Sequence, residues 1–520
     1  MRSFLIRQCS AGHKCSIIYL IGLNLVRLGV QIALYQHGFI SVAADEFARG
    51  IRAATWAAQP SINILADVQG TWLPLEKYLN GLAILIWPDV ILAPRVTVFI
   101  ASCLLIATLY FLAQHLFRSR TVAVLATLLI SIQPWFVWLS GTPMLEMYYF
   151  ALFFTGLLML LIWLREKRRG YWLGAGICFL FATGFHVQSW TLINLVNLLT
   201  LPVLYKFFRR REYGNVFKLA SFYVLGNGLI IGFGLIEYFY TGELFAFLAK
   251  HTTYSRWYYG GYDVSISEKF LYYPRLLTRN VSFAVWIGLA ISLPFLVQAE
   301  QRKWKLFPLL VAISSLILNS VMNIFSGPPS AAPDRYSIFH VVILTLYISY
   351  GIYSLSKLGG RSRAKFSGKL AGLTAVFLLA YLMWWGAVRF PNYPEGMSLD
   401  SVEVGRTLFT LLEKNPGVYM VELRYWDFLA VDLTSQHYSE IIFDRERNSQ
   451  DRNTPSIFFQ DPAQICENLM MPNLRYVLLI DEELKIRAEQ VKLLRRLQTV
   501  GRWTIYEIIP QGEQPNTPCR

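Results

Sequence analysis

The sequence carries little charge for its length. Of its 520 residues only 16% are Asp, Glu, Lys or Arg, whereas soluble domains carry about 25%. Hydrophobic residues make up 55% of the chain, and aromatic residues alone make up 15%. Such a composition excludes intrinsic disorder, a coiled coil and a purely soluble enzyme, because much of the surface needs a solvent other than water. We therefore expect a multi-pass α-helical membrane protein.

Cysteines are also few, and none form a Cys-x-x-Cys pair, so the sequence indicates neither a zinc site nor a redox site. Of the six cysteines, only Cys466 and Cys519 fall in the polar C-terminal region. A disulfide and two free thiols fit this pair equally well. A small-residue cleavage site is missing after the first apolar run, which starts near Ile17. We therefore expect a retained signal anchor rather than a signal peptide that is removed.

The formal net charge of +15 does not indicate a nucleic-acid partner. The basic residues occur in short clusters between apolar runs, which is the pattern that sets the orientation of membrane proteins. A spanning helix needs about 20 apolar residues. The predicted spans are 17–35, 95–117, 121–139, 146–164, 171–187, 190–206, 216–239, 281–298, 306–325, 337–356 and 370–388.

One further apolar run, Leu73–Trp87, is ambiguous because it contains Pro74, Glu76 and Lys77. If this run does not cross the membrane, every basic cluster lies in the cytoplasm, as the positive-inside rule requires. We therefore predict that it forms an amphipathic helix on the outer surface. The resulting topology has about eleven spans, a cytoplasmic N-terminus and an extracytoplasmic C-terminus.

The chain is expected to divide near residue 388. Residues 1–388 would form the transmembrane module, with a first external loop at 36–94 and a large external loop at 241–280. Residues 389–520 would form a small extracytoplasmic α/β domain, because segments rich in β-branched and aromatic residues alternate with helical ones. Its predicted strands are Val418–Leu423, Glu440–Phe443, Tyr476–Ile480 and Trp503–Ile509, and its predicted helices are 399–413 and a helix from Asp481 through Leu497.

Two adjacent acids, Asp45 and Glu46, lie just outside the first predicted span. Acids at a membrane face can act as a base or as metal ligands. An ordinary solvated loop also carries such pairs, and from this pair alone we favour a solvated loop without a catalytic role. The other motifs along the chain change this balance.

The further motifs are Pro74-Leu75-Glu76-Lys77, Glu146 just after Gly141-Thr142-Pro143, and Pro333-Asp334-Arg335-Tyr336. With Asp45-Glu46 they follow the order found in the GT-C superfamily of polyprenyl-phosphate-sugar glycosyltransferases. The chain resembles most the protein O-mannosyltransferases and the lipid A aminoarabinose transferases, over about residues 17–356. It departs from their pattern in three places: Glu146 replaces the usual Asp, Leu73 replaces the first proline of the lysine segment, and Asp334 precedes the late arginine.

The resemblance implies an enzyme of the plasma (bacterial inner) membrane that transfers a sugar from a polyprenyl-phosphate-linked donor. The acceptor would be a glycan, lipid or protein on the extracytoplasmic face, and the anomeric carbon would be inverted. Whether a divalent cation takes part is left open, because some relatives use a metal and some do not. The implied catalytic acids are Asp45 (the general base), Glu46 and Glu146, and the metal candidates are Asp45 and Glu146. The implied donor-phosphate ligands are Lys77, Arg335 and His186, although a hydrogen-bonded packing role fits His186 about equally well.

Aromatic residues are a second source of candidate substrate contacts. Tyr336 belongs to the late motif, and Trp257 and Tyr259 lie in the external loop 241–280. Aromatic rings with polar tips suit sugar stacking, but they suit the membrane interface equally well. The interface belt is the slightly favoured interpretation for the two loop residues.

Two other functions also fit a polytopic protein. A transporter or lipid flippase would place ionisable residues near the middle of the bilayer, whereas the predicted acids here cluster at the outer boundary. A non-catalytic protein of cell-envelope assembly would use its exported domain to bind partners. Replacing Asp45 by Asn should abolish transfer in an enzyme and leave such a non-catalytic protein unaffected.

Overall fold

In the computed structural model, the described residues are 2–62, 72–246, 264–298, 302–326, 333–361, 365–393, 398–423, 426–438, 440–446 and 454–510. They form two compact units. The first unit consists of Met1–Leu34, Ile62–Glu76 and Arg95–Tyr393. The second consists of Tyr35–Ser61, Lys77–Pro94 and Pro394–Arg520.

The first 393 residues are almost entirely helical in the described ranges. The helices are α1 (Arg2–Gln36), α2 (Asp45–Ala58), α3 (Leu75–Ile86), α4 (Leu92–Phe117), α5 (Arg120–Ser131), α6 (Pro134–Ser140), α7 (Glu146–Glu166), α8 (Tyr171–Thr183), α9 (Val187–Arg209), α10 (Tyr213–Gly226), α11 (Gly228–Thr241), α12 (Ile266–Asn280), α13 (Phe283–Gln298), α14 (Arg302–Ser326), α15 (Ile338–Arg361) and α16 (Lys365–Arg389). A 3₁₀ turn, Pro333–Ser337, precedes α15.

The chain is a multi-pass membrane protein. Within the described ranges, seven helices are long and apolar enough to cross a membrane, and three sharply bent helix pairs would raise the number to ten. Helix α8 is apolar but has only 13 residues. Each of the eleven segments predicted as spans is helical over most of its length. Helix α3, with 12 residues, is too short to span the bilayer, which needs about 20 residues.

The bend between α5 and α6 has a clear cause in the sequence. Pro134 occupies the first position of α6, where a backbone N–H has no partner within the helix and its absence costs nothing. The same proline prevents α5 from continuing, because it cannot donate the backbone hydrogen bond of a helix interior. The side chain of Gln133 caps the new helix by accepting a hydrogen bond from the backbone N–H of Phe136, at 2.9 Å. The two helices consequently meet at 73°.

The second unit contains a five-stranded sheet. Its strands are β1 (Val418–Val421), β2 (Ile441–Phe443), β3 (Leu474–Leu479), β4 (Leu494–Val500) and β5 (Trp503–Ile508). They lie in the order β2-β1-β3-β5-β4; β2, β1 and β3 run parallel, and β5 pairs antiparallel with both β3 and β4. The helices of this part are α17 (Leu399–Lys414), α18 (Phe428–Ser435), α19 (Pro462–Leu469) and α20 (Glu482–Glu489).

The predicted C-terminal elements are found, with one error. The side chain of Asp481 does cap a helix, by accepting from the backbone N–H of Glu483. That helix, α20, ends at Glu489, and Leu494–Val500 forms strand β4 instead of continuing it. The prediction failed because β4 is mostly exposed, so its polar residues hide the period-two alternation that marks a half-buried strand.

Cysteine usage differs between the two units. Cys15, Cys103 and Cys178 are free thiols in the first unit. Cys466 is buried in α19 and takes part in a disulfide. The other candidate of the C-terminal region, Cys519, lies outside the described residues.

Candidate active site

Glu146 begins helix α7 and is almost fully buried, with 1% of its surface exposed. It follows a tight segment in which the backbone N–H of Met144 donates to the carbonyl of Thr142, at 2.6 Å. A carboxylate in the first turn of a helix interacts favourably with the exposed N–H groups and with the helix dipole. The position thus supports a buried negative charge.

The short helix α6, which leads to Glu146, is held at its C-terminal end by three polar side chains from other helices. Gln31 donates to the carbonyl of Val137 at 2.6 Å, and Arg95 donates to the carbonyl of Gly141 at 2.7 Å. Arg27 donates to the hydroxyl of Ser140 at 3.0 Å. Cations and donors at this end of a helix satisfy carbonyls that have no partner within the helix.

The buried arginine of the late motif meets Glu146. Arg335 lies in the 3₁₀ turn, and its Nε is 3.3 Å from Oε1 of Glu146, with at most 3% of either side chain exposed. Its other nitrogens donate to the sulfur of Met144 at 3.6 Å and to the hydroxyl of Tyr336 at 3.4 Å. Two opposite charges are therefore brought together away from water.

The turn that carries Arg335 is fixed by the end of α12. Arg279 forms a bidentate ion pair with Asp334, at 3.2 Å and 2.5 Å. The side chain of Asn280 donates to the carbonyl of Asp334 at 3.2 Å and to the hydroxyl of Ser337 at 2.9 Å. Asp334 thus anchors the turn.

His186 lies beside the same cluster as the N-cap of α9. Its Nδ1 accepts a hydrogen bond from the backbone N–H of Gln188, at 3.0 Å. The ring stacks on Tyr149, with centroids 5.3 Å apart, and approaches the ring of Tyr336 at 5.8 Å. Because Nδ1 accepts, the proton of the neutral ring is on Nε2. His186 can therefore offer an N–H donor without carrying a charge.

Two residues that the sequence did not single out complete this cluster. Tyr149 is fully buried one turn after Glu146, and its hydroxyl donates to Oε1 of Gln188 at 2.5 Å. The only available signal was helical spacing, because residues three apart share a helix face. We call the residues Glu146, Arg335, Tyr336, His186, Tyr149 and Gln188 the Glu146 cluster.

The remaining predicted acids lie in the second unit. Asp45 and Glu46 occupy the first turn of α2, where Glu46 is buried with 3% exposed. Arg49 is four residues after Asp45, which places both on one helix face, and it is buried with 2% exposed. Arg49 was missed because a lone arginine in an external loop looks like an ordinary solvated charge.

Lys77 also belongs to the second unit. It lies near the start of α3, and its Nζ is 4.7 Å from the ring centroid of Tyr78. That ring packs edge-on against Trp56 of α2, at 5.5 Å. The helix that carries the two acids and the helix that carries the lysine are therefore in direct contact.

The structure thus brings together four of the predicted residues, Glu146, Arg335, His186 and Tyr336, in the first unit. Asp45, Glu46 and Lys77 belong to the second unit, the two acids on α2 and the lysine on α3. Trp257 and Tyr259 lie outside the described residues.

The two metal candidates were Asp45 and Glu146. Among the residues that the structure describes, no group of three or more His, Cys, Asp or Glu side chains is placed to hold a metal ion. Glu146 is neutralised by Arg335 at 3.3 Å, and a cation at that oxygen would compete with the guanidinium. Within the first unit, Oε1 of Glu146 is therefore a poor ligand for a divalent metal.

No protein-family model and no curated protein matches the sequence. Solved structures do match the fold. ArnT from Cupriavidus metallidurans, solved with undecaprenyl phosphate, aligns with 96% of this chain and 99% of its own, with a TM-score of 0.61 and 13% identity. AglB, the oligosaccharyltransferase from Archaeoglobus fulgidus, solved with an inhibitory peptide and a dolichol-phosphate, aligns with 97% of this chain and 75% of its own, with a TM-score of 0.56 and 13% identity.

Both of these proteins are GT-C glycosyltransferases. At 13% identity the likeness concerns the fold, and it extends over nearly the whole chain. The chain therefore has the fold of the GT-C membrane glycosyltransferases, as the order of its motifs predicted.

Proposed function

We propose that the protein is an integral-membrane glycosyltransferase that moves a sugar from a polyprenyl-phosphate-linked donor to an acceptor on the extracytoplasmic side of the plasma membrane. The observation that carries the proposal is the buried Glu146–Arg335 pair, with His186 and Tyr336 beside it, in a chain with the GT-C fold. ArnT and AglB were solved with polyprenyl or dolichol phosphates, which supports a lipid phosphate as the carrier.

In the proposed reaction the acceptor hydroxyl or amine attacks the anomeric carbon from the face opposite the phosphate. A bond from the acceptor atom to this carbon forms, and the bond from the carbon to the phosphate oxygen breaks. Asp45 takes the acceptor proton as general base. Attack from the opposite face inverts the anomeric carbon.

The departing lipid phosphate gains negative charge and needs cationic support in a poorly solvated site. Arg335 supplies a planar guanidinium, which suits phosphate oxygens, and Glu146 fixes its orientation. Lys77 adds a second cation and His186 an N–H donor. Tyr336 borders the sugar and extends the same surface.

The buried Arg27 in α1 does not favour transport. Its guanidinium is bound to Ser102 and Ser140 and lies over the rings of Phe99 and Phe136. An ionisable group held in this way positions α6 and has a structural role. The observations therefore favour chemistry at the membrane boundary over passage through the bilayer.

The test is the variant Asp45→Asn in membranes that contain the full-length protein. Undecaprenyl-phosphate-linked hexoses and pentoses are supplied, and the release of undecaprenyl phosphate is measured by mass spectrometry. We expect Asp45→Asn to abolish release while the protein remains folded. Asp461→Asn, an exposed N-cap residue of the second unit that undergoes the same charge change, serves as the control. Normal turnover by Asp45→Asn would refute the base assignment.

A further inference from the structure

Helix α2, which carries Asp45 and Glu46, is built into the core of the C-terminal α/β fold. Phe47, Ala53 and Ala54 are at most 5% exposed, and they belong to the same core cluster as Leu433 of α18 and Trp503 of β5. The sequence separation between these residues exceeds 370 positions. The apolar face of α2 is thus buried by residues from the other end of the chain.

Gly50 of α2 approaches Leu433 of α18 closely. A Cβ atom placed on Gly50 would lie 2.8 Å from Cδ2 and 3.3 Å from Cδ1 of Leu433. Gly50 is one helical turn after Glu46, so this contact fixes the helix backbone immediately behind the two acids. A larger residue at position 50 must displace either the leucine or the helix.

Helix α18, which carries Leu433, cannot shift easily. All eight residues of α18 are buried. The hydroxyl of Thr434 donates to the carbonyl of Val402, at 3.2 Å, and a Cβ on Gly405 would lie 2.6 Å from the carbonyl of Val431. Helix α18 therefore sits tightly on α17, and Leu433 is part of a rigid platform.

Helix α3 is attached to the same platform. Trp56 of α2 covers Gly81, where a Cβ would lie 2.3 Å from its ring, and Ile84 belongs to the shared core. Asp45, Glu46 and Lys77 are consequently carried by two helices that are packed on each other and on the C-terminal fold.

We propose that the C-terminal domain positions the catalytic base, and that Leu433 is the positioning residue, acting through Gly50 of α2. The inference rests on the proposed function of Asp45 and adds a role for residues 398–510, which would set the location of the carboxylates. A displacement of about 1 Å in a catalytic group can lower the rate about 10²-fold. The effect should appear in kcat, because the donor is bound by other groups as well.

The experiment compares Gly50→Val with Gly214→Val, the same substitution at a helical position where a Cβ meets nothing within 4 Å. Both are measured in full-length protein by release of undecaprenyl phosphate from an undecaprenyl-phosphate-linked sugar. We expect Gly50→Val to lower kcat at least tenfold with KM for the donor within twofold, and Gly214→Val to leave both unchanged. In the double variant Gly50→Val/Leu433→Ala, the released space should restore most of kcat.

A folded Gly50→Val protein with wild-type kcat would overturn the inference. So would a loss of kcat that Leu433→Ala does not restore. If Gly50→Val does not accumulate, Gly50→Ala replaces it, with a smaller expected loss of about threefold and the same rescue. The proposed function fails in a different way, namely if Asp45→Asn turns over donor as fast as wild type. That outcome does not depend on residue 50.

Discussion

The Glu146–Arg335 ion pair gives the sharpest prediction. At 3.3 Å, two unit charges attract by about 5 kcal/mol at an effective dielectric constant of ~20. Removing one partner leaves the other charge buried without compensation, which costs about 3–5 kcal/mol. We therefore expect Glu146→Gln and Arg335→Met each to lower the apparent melting temperature strongly. The double variant Glu146→Gln/Arg335→Met should recover most of the loss, because a neutral pair of similar volume replaces the charged one.

Activity should behave differently from stability in this series. If Arg335 holds the departing phosphate, the double variant is folded and yet releases no lipid phosphate from the donor. Melting is followed by intrinsic fluorescence in detergent, and release by mass spectrometry in membranes. Single variants that melt like wild type would refute the buried ion pair. A double variant with normal turnover would refute the phosphate-binding role and leave the pair a purely structural one.

Three further predictions follow. A reporter fused after Arg520 should be extracytoplasmic, in agreement with the disulfide at Cys466, since disulfides persist in oxidising compartments; a cytoplasmic signal would reject the topology. Burial raises the pKa of Glu422, and the nearby carboxylates of Asp444 and Asp481 raise it further. Ionising this carboxyl group in the folded protein therefore costs stability once the pH exceeds the ordinary pKa of glutamate. Glu422→Gln should therefore raise the melting temperature at pH 7, and the gain should shrink as pH falls towards ~4.3; a gain that does not depend on pH would contradict this. Gly386→Ala should destabilise the protein by about 1–3 kcal/mol, because the new Cβ would lie 2.6 Å from the carbonyl oxygen of Ile132. Gly372→Ala is the control, since a Cβ there meets nothing within 4 Å. Equal melting temperatures of the two variants would refute the close contact.

The sequence predicted the individual helices well because their signal is local. Apolar runs of sufficient length identify membrane helices, since the backbone must satisfy its own hydrogen bonds in lipid. The strands β1, β2, β3 and β5 were likewise visible in their β-branched and aromatic residues. Strand β4 was not, because an exposed edge strand has no apolar face to reveal its period.

The candidate site was only partly visible in the sequence. Motif order predicted Glu146, Arg335 and Tyr336 as site residues, and the position of His186 at the end of a predicted span added the histidine; the structure brings these four residues together. Tyr149, Gln188 and Arg49 were not identified, since nothing in their local sequence distinguishes them from ordinary core or loop residues. Their place beside the candidate residues depends on tertiary packing.

The sequence by itself determined that the protein lies in a membrane, which segments can cross the bilayer and the order of the motifs. Each of these depends on composition or on residues that are close in the chain. Only the tertiary structure decided which distant residues meet. Arg335 pairs with Glu146 across 189 positions, and Leu433 packs on Gly50 across 383. Such contacts are set by the shape and burial of whole surfaces, which no local pattern encodes.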